Sequence, residues 1–283
     1  MSQIYESIET KSQEYQNTYN KYKEDFDNFF TYEKTVSTRT GTKSNDGRPS
    51  SYKRFAVKSL YIYQKRFGKL PDTLTDIGFI NNLSSILDEP EFIRLNQESH
   101  RFYQASIKEF IRYLVSTNEE LAEKLNNPHF LKKESHQTKK IFDDYKNEIK
   151  QDAQPVRKRK SRYIRKISEY PRNSIVKELV KEAANYKCEY NPSHTTFIND
   201  NDGKQYMEAH HLIPMSAQDH FENSIDFPDN MISLCPTCHR RIHLADKANR
   251  KRMIEHFYKL RKDKYAKHGI DIDLKELLSF YGI

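Results

Sequence analysis

Apolar side chains recur along the first part of the chain at helical intervals. Ile4, Ile8, Tyr15, Tyr19, Tyr22, Phe26 and Phe29 are spaced mostly by three, four or seven positions, which lines one face of a helix and predicts a single amphipathic helix over residues 4–32. The polar, glycine-containing run at residues 37–51 predicts a flexible loop. Ser50 or Ser51 would then cap a helix carrying Tyr52, Phe55, Ala56, Leu60, Tyr63 and Phe67, with Gly68 as its stop. After Pro71 a short apolar set follows, Leu74, Ile77, Phe79, Ile80 and Leu83, and Phe102, Ile107, Phe110, Ile111 and Leu114 mark a further helical face. From 117 to 154 charge dominates, and the pattern predicts a connector of exposed helices with thin stripes at Leu121, Leu125, Phe130, Ile141, Phe142 and Ile149.

The second half reads differently. Ile175, Leu179, Val180 and Ala183 predict an amphipathic helix over residues 174–186. Residues 207–212 alternate as a short strand does, and Met231, Ile232, Ser233 and Leu234 form a second β-prone run. Pro236 suits the first turn of a helix, and the chain from Thr237 onward reads as helical. The run after His243 prolongs or follows that helix, with Met253, Phe257 and Leu260 on its buried side, and residues 271–280 predict a last short one. A strand, a loop, a strand and a helix therefore follow one another, and the fold class expected is α+β, mostly helical, with an N-terminal helical domain ahead of a small α+β domain.

This second half also holds the candidate chemistry. His210 and His211 are adjacent, Asn230 follows, and Cys235, Cys238, His239 and His243 close the run. His239 and His243 are four apart on a predicted helix, so both rings leave one face. Facing a strand that carries His210, that helix would complete a cluster of three imidazoles. Successive strand residues point to opposite sides, so His211 is expected to have a different role. Two other readings compete: Cys235, Cys238, His239 and His243 as one structural zinc site, and His210 or His211 as a hydrogen-bonded core histidine. Against the first, a compact finger separates its cysteine pair from its histidine pair by roughly a dozen residues, whereas Cys238 and His239 are neighbours. His220, His256 and His268 fall outside the pattern and are expected at the surface.

The order His-His, Asn, Cys-x-x-Cys-His-x-x-x-His resembles the HNH (ββα-metal) endonucleases, over about the last hundred residues from near Asn173, and in particular the arrangement of bacterial restriction enzymes. The resemblance implies that His211 is the general base, that Asn230 ties the loop between the strands so as to keep His211 aimed, and that His210, His239 and His243 hold one catalytic divalent ion. Phosphodiester hydrolysis needs a base that titrates near neutrality and a cation that neutralises charge building on phosphate, and histidine suits both roles. Three imidazoles favour a transition metal over magnesium, but magnesium, manganese, nickel and zinc all remain open. Relatives with two Cys-x-x-Cys pairs hold a structural zinc; here Asn191 stands where the first pair's second cysteine would be. The resemblance thus implies a Cys3His zinc site from Cys188, His194, Cys235 and Cys238, with a degenerate, zinc-free site as the alternative. The stretches 50–68 and 101–114 are similar in pattern to the helical core-binding (SAM-like) domain of tyrosine recombinases, with a dimerisation or unrelated binding domain as the competing reading.

Composition sets the frame. The 283 residues allow two cores, built from 19 Tyr and 16 Phe with no Trp at a mean hydropathy of −0.95. The formal charge of +8 favours a polyanionic partner, and Arg157, Lys158, Arg159 and Lys160, followed by Arg162, Arg165 and Lys166, concentrate it just ahead of the HNH-like segment. That cluster reads equally as a solvated linker or as a DNA-backbone contact; Arg240, Arg241, Arg250, Lys251 and Arg252 extend the positive potential. Three cysteines do not make a disulfide framework, and no apolar run spans a membrane, so a cytoplasmic protein is expected. The domains expected are 1–154, helical, for DNA binding, target recognition or dimerisation; 155–172, a basic linker; and 173–283, an HNH nuclease domain. The implied function is metal-dependent cleavage of DNA to 5′-phosphate and 3′-hydroxyl ends, in restriction or antiviral defence. A homing or phage-type nuclease, or a non-catalytic zinc-stabilised DNA-binding protein, is the alternative. DNA is the expected partner, with a homodimer plausible for a double-strand cut.

Overall fold

The computed structural model describes residues 5–39, 47–126, 136–151, 162–164, 167–170 and 172–283. Two compact units make up the chain, Met1–Tyr145 and Lys146–Ile283. Helices dominate both, and the described strands make two small antiparallel ladders, so the α+β, mostly helical expectation holds.

The first unit contains α1 (Gln13–Lys21), α2 (Lys23–Arg39), α3 (Arg48–Phe67), α4 (Ile77–Ser85), α5 (Pro90–Glu98), α6 (Phe102–Thr117) and α7 (Glu119–Asn126), together with the first part of α8 (His136–Gln151). Where one helix was expected over 4–32, the chain starts its helix only after Ser12, whose hydroxyl accepts from the Tyr15 amide, and breaks at Tyr22 (φ −125°, ψ 36°). The apolar spacing runs unbroken through that break because both helices bury the same kind of face, with Tyr22, Phe26 and Phe29 all inside. The predicted loop over 37–51 is helical at both described ends. α3 begins at Arg48 with Pro49 in its first turn, so neither Ser50 nor Ser51 is its cap. Gly68 does end it, at φ 85°, a conformation that costs glycine little. α3 packs on α2 and α6, and aromatic rings fill the space between: Phe26 stacks on Phe110 at 5.5 Å and Phe29 meets it edge-on at 5.0 Å.

The charged stretch expected to be an exposed connector is packed instead. Leu121, Ala122 and Leu125 of α7 and Ile141, Phe142, Tyr145 and Ile149 of α8 are buried. Their few apolar positions fall on single faces, and that suffices. The division between the units lies within α8, ahead of 155–172. In that stretch a ladder pairs β1 (Arg162–Ile164) with β2 (Ile167–Glu169). Phe130, the Arg157–Lys160 cluster, Arg165 and Lys166 lie outside the described residues, as does the side chain of Arg162.

The second unit is built on α9 (Ser174–Ala183), β3 (Glu208–His211), β4 (Met231–Leu234), α10 (Pro236–Leu244), α11 (Lys247–Arg261) and α12 (Leu274–Ser279). Asn173 caps α9 by accepting from the Ile175 amide. β3 and β4 pair antiparallel with His210 opposite Ile232 and His211 opposite Met231. α9 and α10 both pack against this hairpin. Of the two expectations for the run after His243, a prolonged helix or a following one, the second holds: α10 ends at Leu244, and Asp246 caps a new helix, α11. Its Met253, Ile254 and Phe257 close the core, while Leu260, expected on the buried side, is exposed. No described helix is long and apolar enough to cross a membrane.

Candidate metal centre and active site

Strand alternation sorts the histidine pair. Glu208 and His210 share one side of β3, and His211 faces the other. On the first side, α10 presents His239 and His243 one turn apart, as their spacing requires. The three rings converge, with centroids 5.1 Å between His210 and His239, 4.7 Å between His210 and His243, and 5.0 Å between His239 and His243. One ring nitrogen from each lies within 4.8 Å of the others.

Hydrogen bonds fix which nitrogen His210 and His239 offer. The Glu208 carboxylate can only accept, so His239 donates to it through Nδ1 and keeps Nε2 as a lone pair. Tyr281 Oη lies 2.8 Å from the Leu212 carbonyl and 3.3 Å from that of His211, and a carbonyl only accepts, so the hydroxyl proton is committed there. His210 Nε2, 2.9 Å from the same hydroxyl, must then donate, which leaves Nδ1 free. Metal-binding histidines characteristically have their second nitrogen anchored in this way. Burial, with the neighbouring rings of His239, His243 and His211, holds the His210 imidazolium well below its ordinary range. Burial also lowers His243, helped by His239 and Arg240. Neutral imidazoles with aimed lone pairs are the form a divalent transition ion takes, so the donor set fits one. His243 is exposed and His239 half-buried, which leaves the cluster open on one side.

The second cluster is closed. Cys188, His194, Cys235 and Cys238 each offer an atom within 4.8 Å of the rest, and the three cysteines are buried. His194 Nδ1 stands 3.5 Å from Cys235 Sγ and 3.4 Å from Cys238 Sγ. The left-handed residues Asn185 and Tyr186 turn the chain at the end of α9. Glu189 then pairs with Ser233, its amide donating to the Ser233 carbonyl at 2.9 Å and its carboxylate accepting from the Ser233 amide at 2.6 Å. That pairing delivers Cys188 beside Cys235. Burial pushes the Cys188 thiol up, but hydrogen bonds from the backbone of Cys235, Asn191 and Tyr190 outweigh it and bring the pKa below the ordinary thiol value. Burial and the adjacent cysteines push Cys238 the other way. Three sulfurs and one imidazole in a closed pocket fit structural zinc. Cys235, Cys238, His239 and His243 do not form one site, because the cysteines belong to this cluster and the histidines to the other.

On the far side of β3, His211 Nε2 lies 3.0 Å from Asp226 Oδ1, and both side chains are more than nine-tenths buried. Asn230, fully buried, accepts from the Ile213 amide at 2.8 Å and donates to the carbonyls of Ile213 at 3.1 Å and Ile225 at 2.8 Å. It therefore clasps the two ends of the loop that follows His211. Its own carbonyl accepts from the Leu212 amide at 2.8 Å. Asp226, Glu208 and Tyr281 were missed in the sequence. Glu208 had a signal, two positions before His210 on a strand; Asp226 and Tyr281 had none, since loop folding and the segment after α12 bring them in.

The family model for HNH endonucleases matches residues 197–244. The chain carries an HNH endonuclease domain. A restriction-type protein is its relative: the type IV methyl-directed restriction enzyme EcoKMcrA of Escherichia coli (strain K12) is 34% identical over 107 residues, covering 38% of this chain and 36% of that protein. The match thus spans about a third of the relative's length. No solved structure matches the chain. The HNH segment holds the described His210, His211, Asn230 and both α10 histidines, and Arg240 and Arg241 are exposed on the same helix.

His268, expected at the surface, is buried: its ring stacks on Phe227 at 3.9 Å and its Nε2 lies 3.1 Å from Asp229. His220 and His256 are exposed, as expected.

Proposed function

We propose that this protein is an HNH DNA endonuclease in which His211 takes the proton of the attacking water and His210, His239 and His243 hold a divalent ion. A bound ion would supply charge neutralisation at the phosphate and the leaving oxygen. His211 stands apart from the three-ring cluster, on the other side of β3, and keeps one ring nitrogen free to accept a proton. That separation is the observation that carries the reading, because a binding module needs no histidine kept out of its metal cluster. Asn230 holds the loop after His211 in register, and Cys188, His194, Cys235 and Cys238 hold structural zinc. Departure of the 3′ oxygen leaves 5′-phosphate and 3′-hydroxyl ends.

Likeness to a methyl-directed restriction enzyme supports restriction of modified or phage DNA in the cytoplasm. The HNH domain would occupy 173–283, beyond a basic linker at 155–172 whose Arg157, Lys158, Arg159 and Lys160 track the DNA backbone together with Arg240 and Arg241. The helical domain at 1–154 would supply target choice or dimerisation, and two copies would allow a double-strand cut.

The test is cleavage of methylated and unmethylated plasmid and phage DNA with manganese, nickel, magnesium or zinc, beside a His211→Ala variant. Cutting that disappears in the variant while DNA binding persists is the expected result. Binding without cutting under every metal would make the protein a non-catalytic zinc-stabilised DNA-binding protein instead.

A further inference from the structure

Asp226 sits between two donors. Its Oδ1 lies 3.0 Å from His211 Nε2, and its Oδ2 accepts from the Asn173 backbone amide at 2.7 Å. Ser224 Oγ steadies the Asp226 backbone by accepting from its amide at 3.2 Å. Asn173 is itself fixed as the cap of α9. The Asn173 N–H can never become an acceptor, so one oxygen of the carboxylate is committed to it and the other faces the imidazole. A carboxylate in that position requires the proton on Nε2 and leaves Nδ1 unprotonated. Nδ1 of His211 has no hydrogen bond among the described residues.

We propose that Asp226 is the positioning residue that sets the tautomer of His211, through a carboxylate that is itself locked by the start of α9. The inference rests on His211 acting as the base, but the tautomer can be read without any turnover. Asp226→Asn is the informative variant. It matches the carboxylate in size, yet only one of its two terminal atoms accepts. The Asn173 amide demands the oxygen, which turns the NH2 group toward His211 Nε2. That nitrogen must then accept, and the proton moves to Nδ1, so the ring keeps its place and loses the lone pair the reaction uses.

The experiment is 15N-edited NMR of the histidine rings in the full-length, metal-loaded protein and in Asp226→Asn, with DNA affinity and single-turnover cleavage measured alongside. The wild type is expected to show His211 protonated at Nε2, and Asp226→Asn to show it protonated at Nδ1. DNA affinity should stay within about twofold while the cleavage rate falls on the order of 10²–10⁴-fold, and Asp226→Glu, which keeps two acceptors, should restore the wild-type tautomer and part of the rate. An Nδ1-protonated His211 in the wild type overturns the proposal without any variant, and so does an unchanged tautomer in a folded Asp226→Asn. If the tautomer switches but the wild type cleaves under no metal, the positioning role stands and the nuclease reading falls.

Discussion

Asn230 supplies no atom to either metal cluster, yet three of its hydrogen bonds hold the loop that leaves β3. Asn230→Ala strands one buried amide and two buried carbonyls, each expensive to leave unpaired, so urea denaturation should show a loss of about 3 kcal/mol. Cleavage should fall further than the unfolded fraction explains. Its sequence neighbour, Asp229, makes the fold sensitive to pH. Burial raises the Asp229 carboxyl, but hydrogen bonds from His268 and Lys267 and the charges of Lys267 and Lys264 outweigh it and hold the group far below the ordinary carboxyl range. A depressed pKa stabilises the fold fully above the unfolded carboxyl value, about 3.9, and that stabilisation is lost as pH falls toward the folded value. Asp229→Asn should therefore be less stable at neutral pH by about 1–3 kcal/mol, with the gap closing on acidification, as thermal melts from pH 7 down to about pH 2 would record. The same contacts explain why His268 is inside: an aromatic face on Phe227 and an anion at Asp229 reward its burial, and both partners lie far from it in sequence.

At the scale of elements, the Cys3His cluster clips the turn after α9 to the start of α10, the helix that carries His239 and His243. Cys235→Ser should lose stoichiometric zinc by metal analysis, and amide exchange over 187–206 and in the first turn of α10 should quicken by at least about tenfold. Cleavage should fall with it, because two of the three imidazoles ride on that helix. An unchanged zinc content would count against the site. What the sequence revealed of these elements follows the range of the interactions involved. The α10 histidines were legible because four residues make one helical turn, and the His210/His211 division was legible because a strand alternates. The break at Tyr22 was hidden because apolar spacing continues through it. The burial of α7 and α8 was hidden because a few well-placed leucines and aromatics outweigh many exposed charges. Asp226 was hidden because its partner lies 15 residues back, across a loop whose path is set by Asn230 and by Gln218, which accepts from the Ile225 amide at 2.9 Å.

Over the whole molecule, a formal charge of +8 matters only through where its cations lie. Arg240 and Arg241 are exposed on α10, beside the imidazole cluster. Arg241 is partly engaged, with Nη2 2.9 Å from Asn249 Oδ1 and its guanidinium 5.8 Å from the Tyr190 ring. Arg240 adds positive potential at His243. Each phosphate neutralised on duplex DNA steepens the fall of log K with log salt by about 0.9. If Arg157, Lys158, Arg159 and Lys160 track the backbone, replacing all four by alanine should flatten that slope by about 3 to 4, leave melting unchanged, and weaken binding equally on methylated and unmethylated duplexes. Arg240→Ala should flatten it by about 1. Arg241→Ala should do less to the slope and more to stability, since its guanidinium is held by Asn249 and Tyr190. Fluorescence anisotropy across a salt series measures all three variants. An unaltered slope in the quadruple variant would make the basic stretch a solvated linker and leave α10 as the DNA-facing cation source.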